Sequence, residues 1–268
     1  MNDMIDIKTN NKLREKYNPE GSVLREYQKD LLDILLYFDQ ICRDNNISYW
    51  LSGGTCLGAK RHGGFIPWDD DIDVEMTLDE FNRFVSVFCE NNEYVLQTYD
   101  NDLYYTEPFS KLRAKHCIIS EGVFDMKYNY RGPFIDIFAL ESVAYIPSVM
   151  CHFSVGVMRH YSFHIKTKIG ERILRFWKSF NKWLINSSRV IANRLAKRDV
   201  LRYSYGTGCT NIGFFRDKIF PLSVLCFEGH MFPAPKDVDY YLTVLYGDYM
   251  SIPNEIHTHS IIESVNSK

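Results

Sequence analysis

From Leu24 to Cys42 the apolar positions Leu24, Tyr27, Leu31, Ile34, Leu35, Phe38, Ile41 and Cys42 recur three or four residues apart, with charged residues between them. That period places them on one stripe of an amphipathic helix. The pattern then changes. Ile47 to Leu51, ISYWL, reads as a buried strand ended by Gly53 and Gly54, and Thr55 stands near the start of a short helix that Gly63, Gly64 and Pro67 break. Next, Ile72, Val74 and Met76 alternate with Asp71, Asp73 and Glu75. Period two means a strand with one apolar and one acidic face. Thr77 and Glu80 form a capping-box pattern that leads into a helix carrying Leu78, Phe81, Phe84, Val85 and Phe88. YVLQTY (94–99) and IISEGVF (118–124) are further strand candidates, and FIDIFAL (134–140) is an apolar run of strand length with Asp136 at its centre. From about 148 to 201 the pattern is again helical. Phe227 to Pro253 gives a Pro-rich turn, a short helix through Leu242 and Leu245, and an exposed YGDY corner. No internal repeat is present. The expected fold class is α+β: a small mixed sheet with an N-terminal helix and a helical, basic C-terminal region. The expected divisions are a polar leader (1–23), a core (24–147), and a helical basic segment with the YGDY region packing on that core (148–268).

Composition changes this picture in two places. With 268 residues and 46% hydrophobic content, the chain can bury a sizeable core. Its seven cysteines are scattered with no CxxC pair, which suggests reduced thiols and no zinc site. Residues 1–20 are polar and no apolar run reaches the eighteen or so residues of a membrane span. A cytoplasmic protein is expected, at most peripheral on the inner face of the cell membrane. The net charge of −3 hides an asymmetry: Arg159 to Arg202 holds twelve cations against Glu171 and Asp199, a local +10 that leaves −13 elsewhere. In that segment Ile169, Ile173, Phe176, Trp177, Phe180, Trp183 and Leu184 lie close to one helical face. Such a helix lies on an anionic membrane or packs on a core and shows its cations to water; the pattern alone allows both. The cations stand apart from the acids and no base-reading motif occurs, so no nucleic-acid partner is expected.

The acids concentrate the chemistry. Asp69, Asp70, Asp71, Asp73 and Glu75 occupy five of seven consecutive positions. Asp71 and Asp73 leave the same strand face, an arrangement that suits a divalent metal with oxygen ligands, Mg²⁺ above all and Mn²⁺ as an alternative. Asp136, in an otherwise apolar strand, needs a partner. Beside the acidic strand it would complete a set of three carboxylates. Gly53–Gly54 would let backbone N–H groups approach a phosphate at the positive end of the following helix. Together these features suggest phosphoryl-type transfer. A solvated acidic loop is the plain rival. A calcium loop is a sharper one, since Asp69, Asp71, Asp73 and Glu80 have EF-hand spacing, but Val74 stands where that loop needs glycine.

The string YWLSGGTCLGAKRHGGFIPWDDDIDVEM (49–76) closely resembles the signature of the LicD family, bacterial phosphocholine transferases related to fukutin-type phosphosugar transferases. PFSKLR (108–113), GPFIDIFAL (132–140) and the stretch Phe227 to Pro253 follow in the family's order, so the resemblance covers roughly Leu24 to His259. It implies a nucleotidyltransferase-like fold and transfer of a phospho-substituent from a CDP-linked donor to a glycan hydroxyl. For bacterial members the donor is CDP-choline and the acceptor a lipopolysaccharide, teichoic acid or related lipid-linked glycan. Carried over by position, Asp69, Asp71 and Asp73 form the acidic motif, with Asp71, Asp73 and Asp136 as metal ligands and Asp136 or Asp69 accepting the acceptor's proton. Gly53, Gly54, Thr55, Lys111 and Arg113 would hold donor phosphate, with Arg61 a further candidate. A choline head group needs aromatic faces, for which Trp68, Tyr99, Tyr104, Tyr105, Tyr128 and Tyr130 are available. His62 and His259 stay outside the assignment. CDP-activated glycerol or ribitol is the alternative cargo, and an inactive membrane-associated metal-binding scaffold is the alternative of another class.

Overall fold

The computed structural model describes residues 5–119, 127–143, 145–195, 199–208, 211–253 and 266–267. The helix expected from Leu24 is α2, Val23–Asp44, started by Ser22, whose Oγ accepts from the Arg25 N–H at 3.2 Å. Its stripe buries Tyr27, Leu31, Ile34, Leu35, Phe38 and Cys42. The region read as a polar leader contains a helix of its own, α1, Ile7–Tyr17, capped by Asp6. Polar side chains attach it: Asn10 and Arg14 donate to the His62 carbonyl at 3.2 and 3.3 Å. An amphipathic period was not there to be read, because no α1 residue is buried.

The central sheet runs in the order β1 (Trp50–Leu51), β2 (Asp73–Thr77), β6 (Phe134–Glu141), β4 (Ser110–Ala114), β3 (Tyr94–Gln97). The β2–β6 pair is parallel and the others antiparallel, so the sheet is mixed. Beyond the end of β4, β6 pairs with β7 (Val200–Tyr203), which pairs in turn with β8 (Phe214–Phe215). α3 (Gly53–His62) links β1 to β2, and α4 (Leu78–Val87) follows β2, with Thr77 as its cap. α7 (Arg216–Ile219) and α8 (Val238–Tyr246) flank the hairpin of β9 (Ser223–Phe227) and β10 (His230–Ala234). Of the expected strand over IISEGVF, β5 holds only Cys117–Ile118, paired with β11 (Asn266–Ser267). Residues 120–124 of that expectation lie outside the described residues, as does His259.

Three strands lacked a clear sequence signal. All five residues of β4, SKLRA, are buried, lysine and arginine included, so no alternation marks it. The β9–β10 hairpin turns at Glu228–Gly229, both with positive φ (49° and 82°), and keeps Pro233 inside a strand. A non-glycine residue at positive φ and a proline in a strand are both unfavourable signals. Glu228 gains compensation: its carboxylate meets Arg25 at 2.6 Å and accepts the Phe65 N–H at 3.0 Å, tying the hairpin to α2 and to the loop after α3.

The basic segment forms two antiparallel helices, α5 (Tyr145–His164) and α6 (Lys168–Leu195). Lys178 anchors α6 to the body. Its ammonium donates to the carbonyls of Asp102, Leu103 and Tyr105 at 2.7, 3.3 and 2.9 Å. Burial pushes it down to about 8. Lys178→Met keeps the stem and leaves three carbonyls without this donor, so urea unfolding should show a loss of about 2–3 kcal/mol. A loss below ~0.5 kcal/mol would show that water replaces the ammonium at no cost.

Candidate active site

The acidic run does not begin as strand. Asp69 to Ile72 have no regular secondary structure, and β2 starts at Asp73. There the parallel register sets Asp73 beside Asp136 of β6, and the antiparallel register sets Asp136 beside Lys111 of β4. The expected juxtaposition of the two aspartates is therefore built by the sheet. Lys111 supplies the partner that Asp136 required, with Nζ 3.0 Å from Oδ1. The same ammonium sits 3.2 Å from the centroid of the Phe134 ring, which holds the charge over an aromatic face.

The other wall is the N-terminus of α3. Gly53 and Gly54 are its first two residues, so the glycine pair is the first turn of the helix itself. A Cβ on Gly53 would come within 3.1 Å of Asp73 Oδ2, at a φ of +48°, and one on Gly54 within 2.8 Å of Asp69 Oδ2. Only glycine lets both carboxylates come this close to the positive end of the helix. Thr55 is buried, and its hydroxyl accepts the Asp73 N–H at 2.8 Å. It therefore positions Asp73, and the expected contact with donor phosphate is not what this geometry displays.

Burial pushes the Asp73 carboxyl well above its ordinary value, and the charges of Asp71, Asp136 and Asp69 push further; Lys111 opposes them. Burial, then Asp71 and Asp70, raise Asp69 in the same way. Hard oxygen donors crowded so that they repel one another suit Mg²⁺ or Mn²⁺. Asp71, Asp73 and Asp136 would hold such an ion. When bound, it would neutralise charge on a diphosphate.

Behind the site lies a residue with only a weak claim from sequence. Glu75 is fully buried. Its carboxylate accepts from Trp50 Nε1 (2.7 Å), Ser52 Oγ (2.7 Å), Tyr203 OH (2.6 Å) and Tyr241 OH (3.0 Å). Burial raises it, and these four hydrogen bonds pull it down. The Tyr241 oxygen also accepts the Gly53 N–H at 3.1 Å, so Glu75 positions the first turn of α3 through Tyr241. The period-two face was real, but its third acid is a buried hub. Only Glu75 could have been suspected from sequence; nothing marked Tyr203 and Tyr241 as its partners.

Two expected cations stand elsewhere. Arg113 is fully buried, donating to Gln97 Oε1 at 2.6 Å and the Gly132 carbonyl at 2.7 Å, so the structure does not bring it to an open surface. Arg61, also buried, donates to the carbonyls of Tyr249 and Ser251 and pins the YGDY corner. It also donates to Nε2 of His62, whose Nδ1 pairs with Asn10 at 2.7 Å. Burial, then the charges of Arg61 and Arg14, push His62 down to about 3, so the ring stays neutral. The calcium-loop reading is excluded because Asp73–Thr77 is a sheet strand.

A cleft of about 650 Å³ opens on Gly53 and Asp73. Phe109, Phe138, Tyr203 and Tyr246 line it, with Glu107, and α5 contributes His152 and Arg159. Arg159 Nη1 holds Glu107 Oε1 at 2.9 Å. None of the aromatic residues expected around a head group lines this cleft. Tyr105 is fully buried, Trp68 packs edge-on against Tyr17, and Tyr99 and Tyr104 line a separate cavity against α6. The order of the sheet, not any local pattern, selects the residues that do.

This geometry agrees with the comparisons. A family model described as LicD/FKTN/FKRP, nucleotidyltransferase domain, matches residues 46–169. The lipopolysaccharide cholinephosphotransferase LicD of Haemophilus influenzae is 32% identical over 262 residues, covering 87% of this chain and 93% of that protein. The chain belongs to the LicD/FKTN/FKRP family. Within it, human ribitol 5-phosphate transferase FKRP is 53% identical over 34 residues, 13% of this chain and 7% of that protein. Mouse ribitol-5-phosphate transferase FKTN is 32% identical over 62 residues, 23% and 13% respectively. The mixed sheet is thus a LicD nucleotidyltransferase domain, and the protein is a cholinephosphotransferase-like enzyme that transfers a phospho-substituent. The matched span contains Gly53, Asp69, Asp71, Asp73, Lys111 and Asp136. Among the described residues, no helix is long and apolar enough to cross a membrane.

Proposed function

We propose that this LicD-family enzyme transfers phosphocholine from CDP-choline to a hydroxyl of a lipopolysaccharide-type glycan and releases CMP. The observation that carries the head group is the aromatic wall beside Asp73. Ring centroids of Phe109 and Phe138 lie 4.6 Å apart, and those of Phe138 and Tyr203 5.8 Å apart. A quaternary ammonium has no hydrogen-bond donor and is recognised by ring faces. A glycerol or ribitol chain would instead need a set of polar partners. The Haemophilus relative, named as a cholinephosphotransferase, supports the same choice.

The reaction is an in-line displacement. The glycan oxygen bonds to the phosphorus that bears choline, and the bond from that phosphorus to the CMP phosphate oxygen breaks. The α3 N-terminus stabilises negative charge on the diphosphate. Lys111 fixes Asp136 by their 3.0 Å pair. Asp69 or Asp136 takes the proton from the attacking hydroxyl, and the pH–rate profiles of Asp69→Asn and Asp136→Asn assign it: loss of the acid limb identifies the base.

Initial rates of CMP release from CDP-choline, CDP-glycerol and CDP-ribitol test the cargo. CDP-choline should lead by at least ~10-fold in kcat/KM, and Phe138→Ala should lower its rate constant about 5–30-fold while changing the other two little. A lead for either polyol donor overturns the choline assignment and leaves the transferase assignment standing.

A further inference from the structure

The α5–α6 hairpin leaves one broad face without a partner among the described residues. On α5, Cys151, Val155 and Met158 are buried, whereas Ile146, Met150, Phe153 and Val157 on the opposite side are exposed, Phe153 by 72%. On α6, Leu174, Lys178 and Asn181 face inward, whereas Ile169, Ile173, Phe176, Phe180 and Trp183 are exposed, Phe176 by 75% and Trp183 by 62%. The helices meet through Cys151–Ser188, Ser154–Asn181 and Tyr161–Trp177. In both, that contact lies about a quarter-turn from the side that packs on the body. The two apolar stripes therefore point the same way, outward, and form one surface. This corrects the sequence-based face: Trp177 and Leu184 turn toward α5, and α5 supplies the residues that complete the surface.

Soluble chains rarely expose so many large apolar side chains together without an occupant. We infer that this face is a docking surface for an anionic lipid bilayer. The flank of α6 decides among occupants. On that flank Lys168 and Arg172 lie nearest the apolar stripe, whereas Arg175 and Lys182 sit farther toward the body, Arg175 4.0 Å from Glu171 and Lys182 paired with Asp100 at 2.7 Å; Glu171 is the helix's one described acid. A basic rim repels the same rim on a second copy and attracts anionic headgroups, with the rings entering the acyl boundary. Neither helix can span the bilayer, which fits a surface-lying mode. The same α5 sends His152 and Arg159 into the cleft, so docking sets the cleft beside the membrane, where a lipid-anchored acceptor resides. This inference does not depend on which head group is transferred.

Sedimentation of the full chain with vesicles tests it. Binding should be strong to equimolar phosphatidylglycerol and phosphatidylcholine, weak to phosphatidylcholine alone, and reduced at high salt. Phe176→Ser with Trp183→Ser should lower the partition coefficient at least ~10-fold. Both positions are exposed and outside the cleft, so thermal unfolding and CMP release with a water-soluble acceptor should be retained. Three results would each overturn the inference: no binding to the anionic vesicles, equal binding by the double variant, or a wild-type dimer in sedimentation velocity that the double variant abolishes. The last would assign the face to a second copy.

Discussion

Asp73→Asn is expected to lower CMP release from CDP-choline by at least ~10³-fold, and at the same time to make the ligand-free protein more stable near pH 8. The loss of activity follows from removing the carboxylate that faces both Asp136 and the α3 N-terminus. The gain in stability follows from the sign of its shift. Asp69 and Asp73 are both raised above the ordinary 3.8 by burial and neighbouring acids. Between the ordinary value and the folded value, the folded state holds more protons than the unfolded state. Stability therefore falls as pH rises through that window, and the penalty is complete above it. Asn carries no charge, so the variant should melt about 2–4 °C above wild type near pH 8 for each ~1 kcal/mol of repulsion removed, and level with it near pH 3. Adding Mg²⁺ should raise the wild-type Tm near pH 8, by binding the folded state, and raise that of the variant much less. A variant that is inactive and also less stable at pH 8 would mean Asp73 is structural.

Glu75→Ala should cost about 3–5 kcal/mol, the largest stability loss expected from one polar substitution here. It leaves the Trp50 indole N–H and the Ser52, Tyr203 and Tyr241 hydroxyls without their common acceptor. Urea unfolding measures the loss. Glu75→Gln separates packing from charge: it keeps the volume but adds donors where only donors already point, so much of the cost should remain. Tyr241→Phe is the milder companion. It removes the acceptor of the Gly53 N–H, and its effect should fall more on KM for the CDP donor than on folding. A Glu75→Ala protein within ~1 kcal/mol of wild type would show that water fills the site and that the hub is not a structural element.

Much of the site was legible because the chemistry is written locally. The alternation from Asp71 to Met76 gave the strand, and the isolated acid of FIDIFAL gave Asp136. The glycine pair gave the helix N-terminus, although its turn lies one to two residues earlier than Thr55 suggests. What could not be read depends on long-range pairing. Lys111 and Arg113 lie two apart on one strand, yet register puts the first against Asp136 and the second against Phe134, where it is sealed in. Tyr203 and Tyr241 reach Glu75 across separations of 128 and 166 residues. The aromatic lining of the cleft is long-range for the same reason: Phe109, Phe138, Tyr203 and Tyr246 are far apart in sequence, whereas Tyr99 and Tyr104 line a separate cavity.

In the proposed mechanism Asp71, Asp73 and Asp136, with the first turn of α3, form the place where a dication and the donor diphosphate sit. Anomalous diffraction from crystals soaked with Mn²⁺ and CDP-choline would locate both. The predicted result is one strong peak about 2.0–2.3 Å from oxygens of Asp71 and Asp73, with the diphosphate between it and the Gly53–Gly54 turn and the choline against Phe109 and Phe138. A peak at another cluster, such as Asp30, His116 and Cys117, with bound CDP-choline away from Asp73, would rule out this site.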